Sequence, residues 1–384
     1  MTLRISLAVI LVFSLAAVAA AGRPVLGVSY PGWRGEYRDA SRHLEVIRAE
    51  GFRMVSFVPT YAYVGLNRID TGNGPTYEEL RSAITLALRS GLAVVLKPHL
   101  DPPLYEPGND PFTSENHSWR ANTPWRGFFD VDPMSSAYRE GIIMRSLRML
   151  SEVFDSLKGK EGILPVRLEL GAELMNSVVS YPGEWERLLA RARREIRRLG
   201  IRGKVLLSHN FSHHFEMPED VVLRMGGPGR AALARYIRGL DALALSQYMD
   251  LTILVPRSER RLPAPEEIAS ALLRHEREFR DTILIGYLGL RPDEIPPLHI
   301  GEFGIGRGGL RHPNLWAGET TAGQKKQLMH EVALGMEGLV KYLALGGAGS
   351  AVLWVTGGMY DVFGWMDDES FNGEAIEAIR NGLR

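Results

Sequence analysis

From Pro24 onward, short apolar runs of β type alternate with longer stretches of helical period. PVLGVSY (24–30) reads as a first strand ending in aromatic residues, with Trp33 just beyond. Residues 38–50 carry Leu44, Val46 and Ile47 at helical spacing and stop at Gly51, and RMVSFVPTY (53–61) is a second strand. Thr76 with Glu79 forms a capping box, and Leu80, Ile84, Ala87 and Leu88 give the buried face of a helix closed by Gly91. LAVVLKPHLD (92–101) is a third strand, apolar until it ends in Lys97, His99 and Asp101. The loop after it holds Trp119, Trp125, Arg126 and several prolines; loops this long are functional or disordered, and its aromatic content points to function.

A helix over 134–158 then leads to VRLELGAELMN, which runs apolar and alternating from Val166 and presents Glu173 at its end. Pro182 and Trp185 open a strongly basic helix ending near Leu199 and Gly200. KVLLSHN (204–210) and LDALALSQY (240–248) are the fifth and sixth strands. Pro265 starts another helix, and LHIGEFGIG brings Glu302 to the point where the seventh strand opens into glycines. A helix over 323–345, the strand AVLWVTGG (351–358) and a last helix from Gly373 complete the chain. Eight strands alternating with helices, most of them continuously apolar as parallel strands covered on both faces are, predict an α/β chain folded as one (β/α)8 TIM barrel. Nothing in the sequence reads as a linker within 22–384.

Composition refines this picture in three ways. The 384 residues are 45% apolar and 23% charged, enough for one large barrel. The formal net charge is zero, which points away from nucleic acid and acidic membrane surfaces and toward a neutral partner bound by shape and stacking. Residues 1–21 are set apart: Arg4, an apolar run over 5–18 and then Ala19–Ala21 have the order of a secretory signal. That run is shorter than the roughly 20 residues that span a bilayer, so export with cleavage is expected and an uncleaved anchor is the alternative. With no cysteine, the exported protein would rely on its core.

Polar and aromatic residues gather at the C-terminal strand ends, where such barrels carry their chemistry. Glu173 ends the fourth strand and Glu302 the seventh, positions that face each other across the mouth. Hydrolysis of a glycosidic bond with retention needs one protonated carboxyl to assist the leaving oxygen and one carboxylate to attack the anomeric carbon. Glu173 is the candidate acid/base and Glu302 the candidate nucleophile. Ordinary ion-pair glutamates are the plainer reading of either one alone.

The order of these strand-end glutamates resembles the large clan of retaining glycoside hydrolases with acid/base on strand four and nucleophile on strand seven. Gly171-Ala172-Glu173-Leu174 is similar to the glycine-small-glutamate-leucine motif of glycoside hydrolase family 113. The similarity extends to LKPHLD, Trp125-Arg126-Gly127, Glu184-Trp185, Asn210 and Glu302-Phe303-Gly304. The resemblance implies a β-mannanase-like endo-acting enzyme on a carbohydrate substrate, without a cofactor or metal. It departs from the wider clan at Ala172, where many members place an asparagine that holds the sugar 2-hydroxyl; Asn210 is the candidate replacement.

Other strand-end residues take roles by their chemistry. Tyr248 either donates to Glu302 or packs at the rim. Trp354 is either the flat floor beneath a sugar or core filler. Lys97, His99 and Asp101 are costly to bury unpaired, so they pair with one another or bind sugar hydroxyls, the second being favoured. Trp33, Trp119 and Trp125 are candidate platforms for sugar rings or loop packing, and Arg126 is a hydroxyl ligand or a surface cation. Two rivals stand beside the glycosidase. A metal-dependent hydrolase or deacetylase would draw ligands from His99, Asp101, His209, His213, His214 and His299, and a non-catalytic carbohydrate-binding barrel would keep the site without turnover. A phosphate loop at Gly304, Gly306, Gly308 and Gly309 is a weaker thought, since glycine runs mostly mark turns.

Overall fold

The computed structural model describes residues 25–32, 34–65, 68–101, 126–212, 225–249, 251, 254–255, 259, 261–305 and 322–354, with positions 377 and 381. The signal-like segment, Trp33, Trp119, Trp125, His213, His214, Gly306, Gly308, Gly309 and most of the last helix lie outside these residues. Among the described residues no helix is long and apolar enough to cross a membrane.

Among the described residues ten strands follow in chain order: β1 (Leu26–Gly32), β2 (Met54–Gly65), β3 (Arg68–Asp70), β4 (Ala93–Leu96), β5 (His99–Asp101), β6 (Val166–Ala172), β7 (Val205–Phe211), β8 (Ala242–Met249), β9 (Leu298–Ile305) and β10 (Ala351–Leu353). The ring β1-β2-β4-β6-β7-β8-β9-β10 is parallel at every step, and β10 pairs back to β1. This is a closed eight-stranded (β/α)8 barrel. β3 is an antiparallel extension that pairs with the far end of β2.

The third barrel strand is broken, where the sequence pattern predicts a continuous one. β4 stops at Leu96 and β5 resumes at His99, with Lys97-Pro98 between. Proline has no N–H to give to the ladder, so pairing lapses there; β4 pairs with β2 and β6, whereas β5 pairs with β2. The Thr76 capping box forms as read, with Glu79 N donating to Thr76 Oγ1 and Thr76 N to Glu79 Oε2.

Strand alternation divides the barrel wall into two environments. On β6, Val166, Leu168 and Leu170 join the main apolar core, while Arg167 and Glu169 are buried on the other face. That other face is unusually polar for a barrel interior. Ser56, Lys97, Arg167, Glu169, Ser208 and Glu302 are all buried, and Lys97 lies within 4 Å of both Glu169 and Glu302.

Candidate active site

Local backbone chemistry fixes Glu173. A Cβ on Gly171 would lie 2.5 Å from His209 Cε1 and 2.8 Å from Trp185 Cη2, so only glycine lets β6 pass over that edge-to-face ring pair. Trp185 is anchored in turn: its Nε1 donates to Ser177 Oγ at 3.1 Å, and Ser177 Oγ donates to Val131 O at 2.5 Å. Ala172 pairs with Asn210 of β7, and Glu173 N donates to Asn210 O at 2.8 Å. Glu173 has φ 56°, the left-handed region, and among the described residues no other non-glycine does so. That conformation costs about 1–2 kcal/mol for a residue with a Cβ and persists where its surroundings impose it. Here the β7 hydrogen bond and the helix that begins at Met175 impose it.

Glu302 sits on β9, fully buried, at the centre of a convergent set. Tyr248 Oη donates to its Oε2 at 2.5 Å. Lys97 Nζ donates to Oε1 at 3.2 Å and to Gly301 O at 2.6 Å. Asn210 Nδ2 reaches Oε1 at 3.4 Å while donating to Ser246 Oγ at 3.0 Å. His99 Nε2 lies 3.2 Å from the same oxygen without the alignment of a hydrogen bond. Burial alone would raise the Glu302 carboxyl, yet Lys97, His99 and Arg126 outweigh it and hold the group well below the usual carboxylate range.

Glu173 is held differently. Arg126 Nη1 donates to its Oε2 at 2.9 Å, and Arg126 Nε donates to Asp101 Oδ1 at 3.0 Å and to Leu100 O at 3.3 Å. Burial first, and then the charge of Glu302, push the Glu173 carboxyl up to about 7, with Arg126 opposing both. The two carboxyls therefore sit in opposite states near neutrality: Glu302 ionised, Glu173 able to keep a proton. Tyr248 is pushed well above its ordinary value by burial and by Glu302, so it stays a donor. His99 is brought down to about 4 by burial and then by Arg126, so its ring is neutral.

The structure thus brings Lys97, His99, Asn210 and Tyr248 around Glu302, and Asp101 and Arg126 beside Glu173. Lys97, His99 and Asp101 do not pair with one another, and Lys97 and His99 are too enclosed to meet a sugar from the open mouth. Arg126, whose side chain is only 13% exposed, is neither a surface cation nor free for hydroxyls; its guanidinium is taken up by Asp101 and Glu173. Trp354 follows β10 half-buried, stacked on His99 with ring centroids 5.2 Å apart and planes at 16°. The histidines of the metal reading go separate ways: His209 Nδ1 bonds Tyr236 Oη at 2.9 Å, His299 Nδ1 bonds Ser350 Oγ at 2.8 Å, and His99 faces Glu302. Among the described residues no group of three or more histidines and carboxylates could hold a metal ion.

Ser246, Arg167 and Glu169 were not among the sequence candidates. Ser246 Oγ accepts from the Asn210 amide, and its hydroxyl is among the groups that lower the Glu173 carboxyl. Period-two spacing was the available signal: Ser246 shares a face with Tyr248, and Arg167 shares one with Glu169, although a register shift before Ala172 breaks that alternation ahead of Glu173.

No family model matches the chain, and no curated protein sequence matches it. Solved structures do. A GH113 β-1,4-mannanase in complex form superposes with TM-score 0.55 at 16% identity, covering 94% of this chain and 97% of that one. The GH113 β-mannanase AaManA from Alicyclobacillus acidocaldarius, in complex with ManMIm, gives TM-score 0.51 at 15% identity over 94% and 96%. The catalytic domain of the GH26 endo-β-1,4-mannanase of Bacillus sp. JAMB-750 gives 0.51 at 14% over 97% and 89%. At these identities the likeness is one of fold, and it spans nearly the whole chain.

Proposed function

We propose that the chain is a retaining glycoside hydrolase that cleaves internal β-mannosidic bonds of a polysaccharide or oligosaccharide. The observation that carries this reading is the opposite charge state of two buried carboxyls at the barrel mouth, Glu302 ionised and Glu173 able to hold a proton to about pH 7. Glycoside hydrolysis by double displacement asks for that pair. The β-mannanases with which the barrel superposes support the sugar, and the order of charged, apolar and small residues over 1–21 supports export.

On this reading Glu302 attacks the anomeric carbon, and the bond to the leaving oxygen breaks as Glu173 gives that oxygen its proton. Ester formation removes the charge of Glu302, which is the second largest influence holding the Glu173 value up. Glu173 then becomes the stronger acid and rests as a carboxylate, ready to take a proton from the water that releases the sugar. Tyr248 and Lys97 keep both Glu302 oxygens oriented and ionised for the first step. Trp354 offers a flat apolar face beside Glu302 on which a sugar ring can stack.

The test is reducing-end release from β-mannan, with β-glucan, xylan and galactan in parallel and the anomer of the first product followed by NMR. Glu302→Gln should abolish turnover and spare sugar affinity. Turnover that survives in that variant sinks the nucleophile assignment, and binding without turnover in the unsubstituted protein sinks the enzyme.

A further inference from the structure

Beneath the carboxyl pair lies a second pair of charges that the mechanism above does not use. Lys97 is completely enclosed and has three neighbours: Gly301 O at 2.6 Å, Glu302 Oε1 at 3.2 Å and Glu169 Oε2 at 3.7 Å. Glu169 is also completely buried, and its other oxygen lies 3.9 Å from Arg167 Nε. Both of these Glu169 separations exceed hydrogen-bond reach, and neither carboxylate oxygen has a hydrogen-bond partner. A buried carboxylate that makes no hydrogen bond is a poor device for stability, because its desolvation is not repaid by geometry. Its effect is electrostatic, and the nearest cation on which it acts is the one that also grips the nucleophile.

We propose that Glu169 is a positioning residue for the reaction of Glu302, acting through Lys97 by sharing the ammonium charge between two carboxylates. This inference rests on the glycosidase reading. Without Glu169 the Lys97 charge falls wholly on Glu302, and the barrel interior gains a net positive charge. Both effects oppose the reaction: the carboxylate becomes a weaker nucleophile, and positive charge develops at the anomeric carbon in the transition state, where an added cation repels it. Burial raises the Glu169 carboxyl above its ordinary value, with Lys97 and Arg167 opposing it; the 3.7 and 3.9 Å separations from those two cations are the geometric ground for its charge.

The probe is a 2-deoxy-2-fluoro-β-mannotriosyl fluoride. Glu302 Oε forms a bond to C1 as the C1–F bond breaks and fluoride leaves with the electron pair; no proton from Glu173 is needed. Labelling is followed by intact mass and the site by peptide mapping. Glu169→Gln keeps the shape and removes the charge, and it should slow labelling on the order of tenfold. The same change made in a Lys97→Met background should slow it less than about twofold, because a residue acting through Lys97 has nothing left to act on. If Glu169→Gln fails to fold, the pair Arg167→Met with Glu169→Gln removes the cation left opposite and is judged by the same criterion in both backgrounds. An unchanged rate in the first background, or equal slowing in the two, overturns the proposal, since a purely structural residue would act equally in both. Absence of labelling in the unsubstituted protein is a different failure: it removes the glycosidase reading, and this inference with it.

Discussion

Arg126 gives the sharpest test of how Glu173 is tuned. Its Nη1 is 2.9 Å from Glu173 Oε2, and the rest of the guanidinium is engaged by Asp101. Two unit charges about 4 Å apart interact by about 4 kcal/mol at an effective dielectric near 20, which would be worth about three pH units. Asp101 shares the cation and cancels part of that. Arg126→Met should therefore raise the point at which Glu173 loses its proton by about one to two pH units. The sign follows from the role. Glu173 must be protonated in the first step, so activity falls as pH rises through its value, about 7 in the intact protein. The variant's basic limb in kcat/KM should then lie near pH 8 to 9, while kcat at the optimum drops because the carboxyl loses the contact that aims it. The acid limb should move up slightly, since Arg126 is among the groups that hold Glu302 down. The assay is a pH series on mannan oligosaccharides, repeated with a dinitrophenyl glycoside whose leaving group needs no proton; there the basic limb should flatten. A basic limb that stays at 7 or moves down would refute the account, because burial and Glu302 would then be setting the value without Arg126.

Three further outcomes follow from the same geometry. Tyr248→Phe removes the 2.5 Å hydrogen bond to Glu302 Oε2, a bond to a charged acceptor worth about 1.5–3 kcal/mol, so kcat should fall roughly ten- to a hundredfold and the acid limb should rise. Gly171→Ala puts a methyl 2.5 Å from His209 and 2.8 Å from Trp185; it should lower stability by about 1–3 kcal/mol in urea unfolding and reduce turnover by shifting Glu173. Glu173 also ties stability to pH. Its folded value is raised from 4.5 to about 7, so its contribution is complete below pH 4.5 and is lost as pH rises through 7. The loss is up to about 3 kcal/mol, and Glu173→Gln should flatten the decline in unfolding free energy between about pH 5 and about pH 8 by that amount. A variant with the same slope as the intact protein would mean that Glu173 is not the group responsible.

The barrel was legible because its signal is repetitive. Eight apolar runs separated by helical periods constrain the topology even when each run is ambiguous, and the strand count places Glu173 after the fourth barrel strand and Glu302 on the seventh. What could not be read was which charge meets which. Arg126 lies far from Asp101 and Glu173 in sequence, on a segment whose path the pattern does not encode, so its capture by both carboxyls appears only in three dimensions. The break at Lys97-Pro98 was visible as a proline, but the apolar run concealed it. Arg167 and Glu169 were passed over for a related reason. They alternate with leucines in VRLELGA, which marks a polar face, but the charges that this face meets, such as Lys97, come from other strands.

Separating those faces shows what the interior of the barrel has to solve. Three cations, Lys97, Arg126 and Arg167, face three carboxylates, Asp101, Glu169 and Glu302, provided that Glu173 keeps its proton and Glu169 gives up its own. An unmatched charge in so enclosed a place is expensive, which is why the count matters more than any one pair. In the proposed reaction the count never changes. When Glu302 is esterified it loses its charge, and Glu173, having given up its proton, gains one; the second step returns both. The negative charge moves between two residues that share the same set of cations, so the surrounding groups need little rearrangement at either step. A strained glutamate at φ 56° and a buried carboxylate without a hydrogen bond are costs to folding with no evident structural return. Both become intelligible if the arrangement is held for that transfer of charge, with Glu173 aimed at the mouth and Glu169 balancing the lysine beneath.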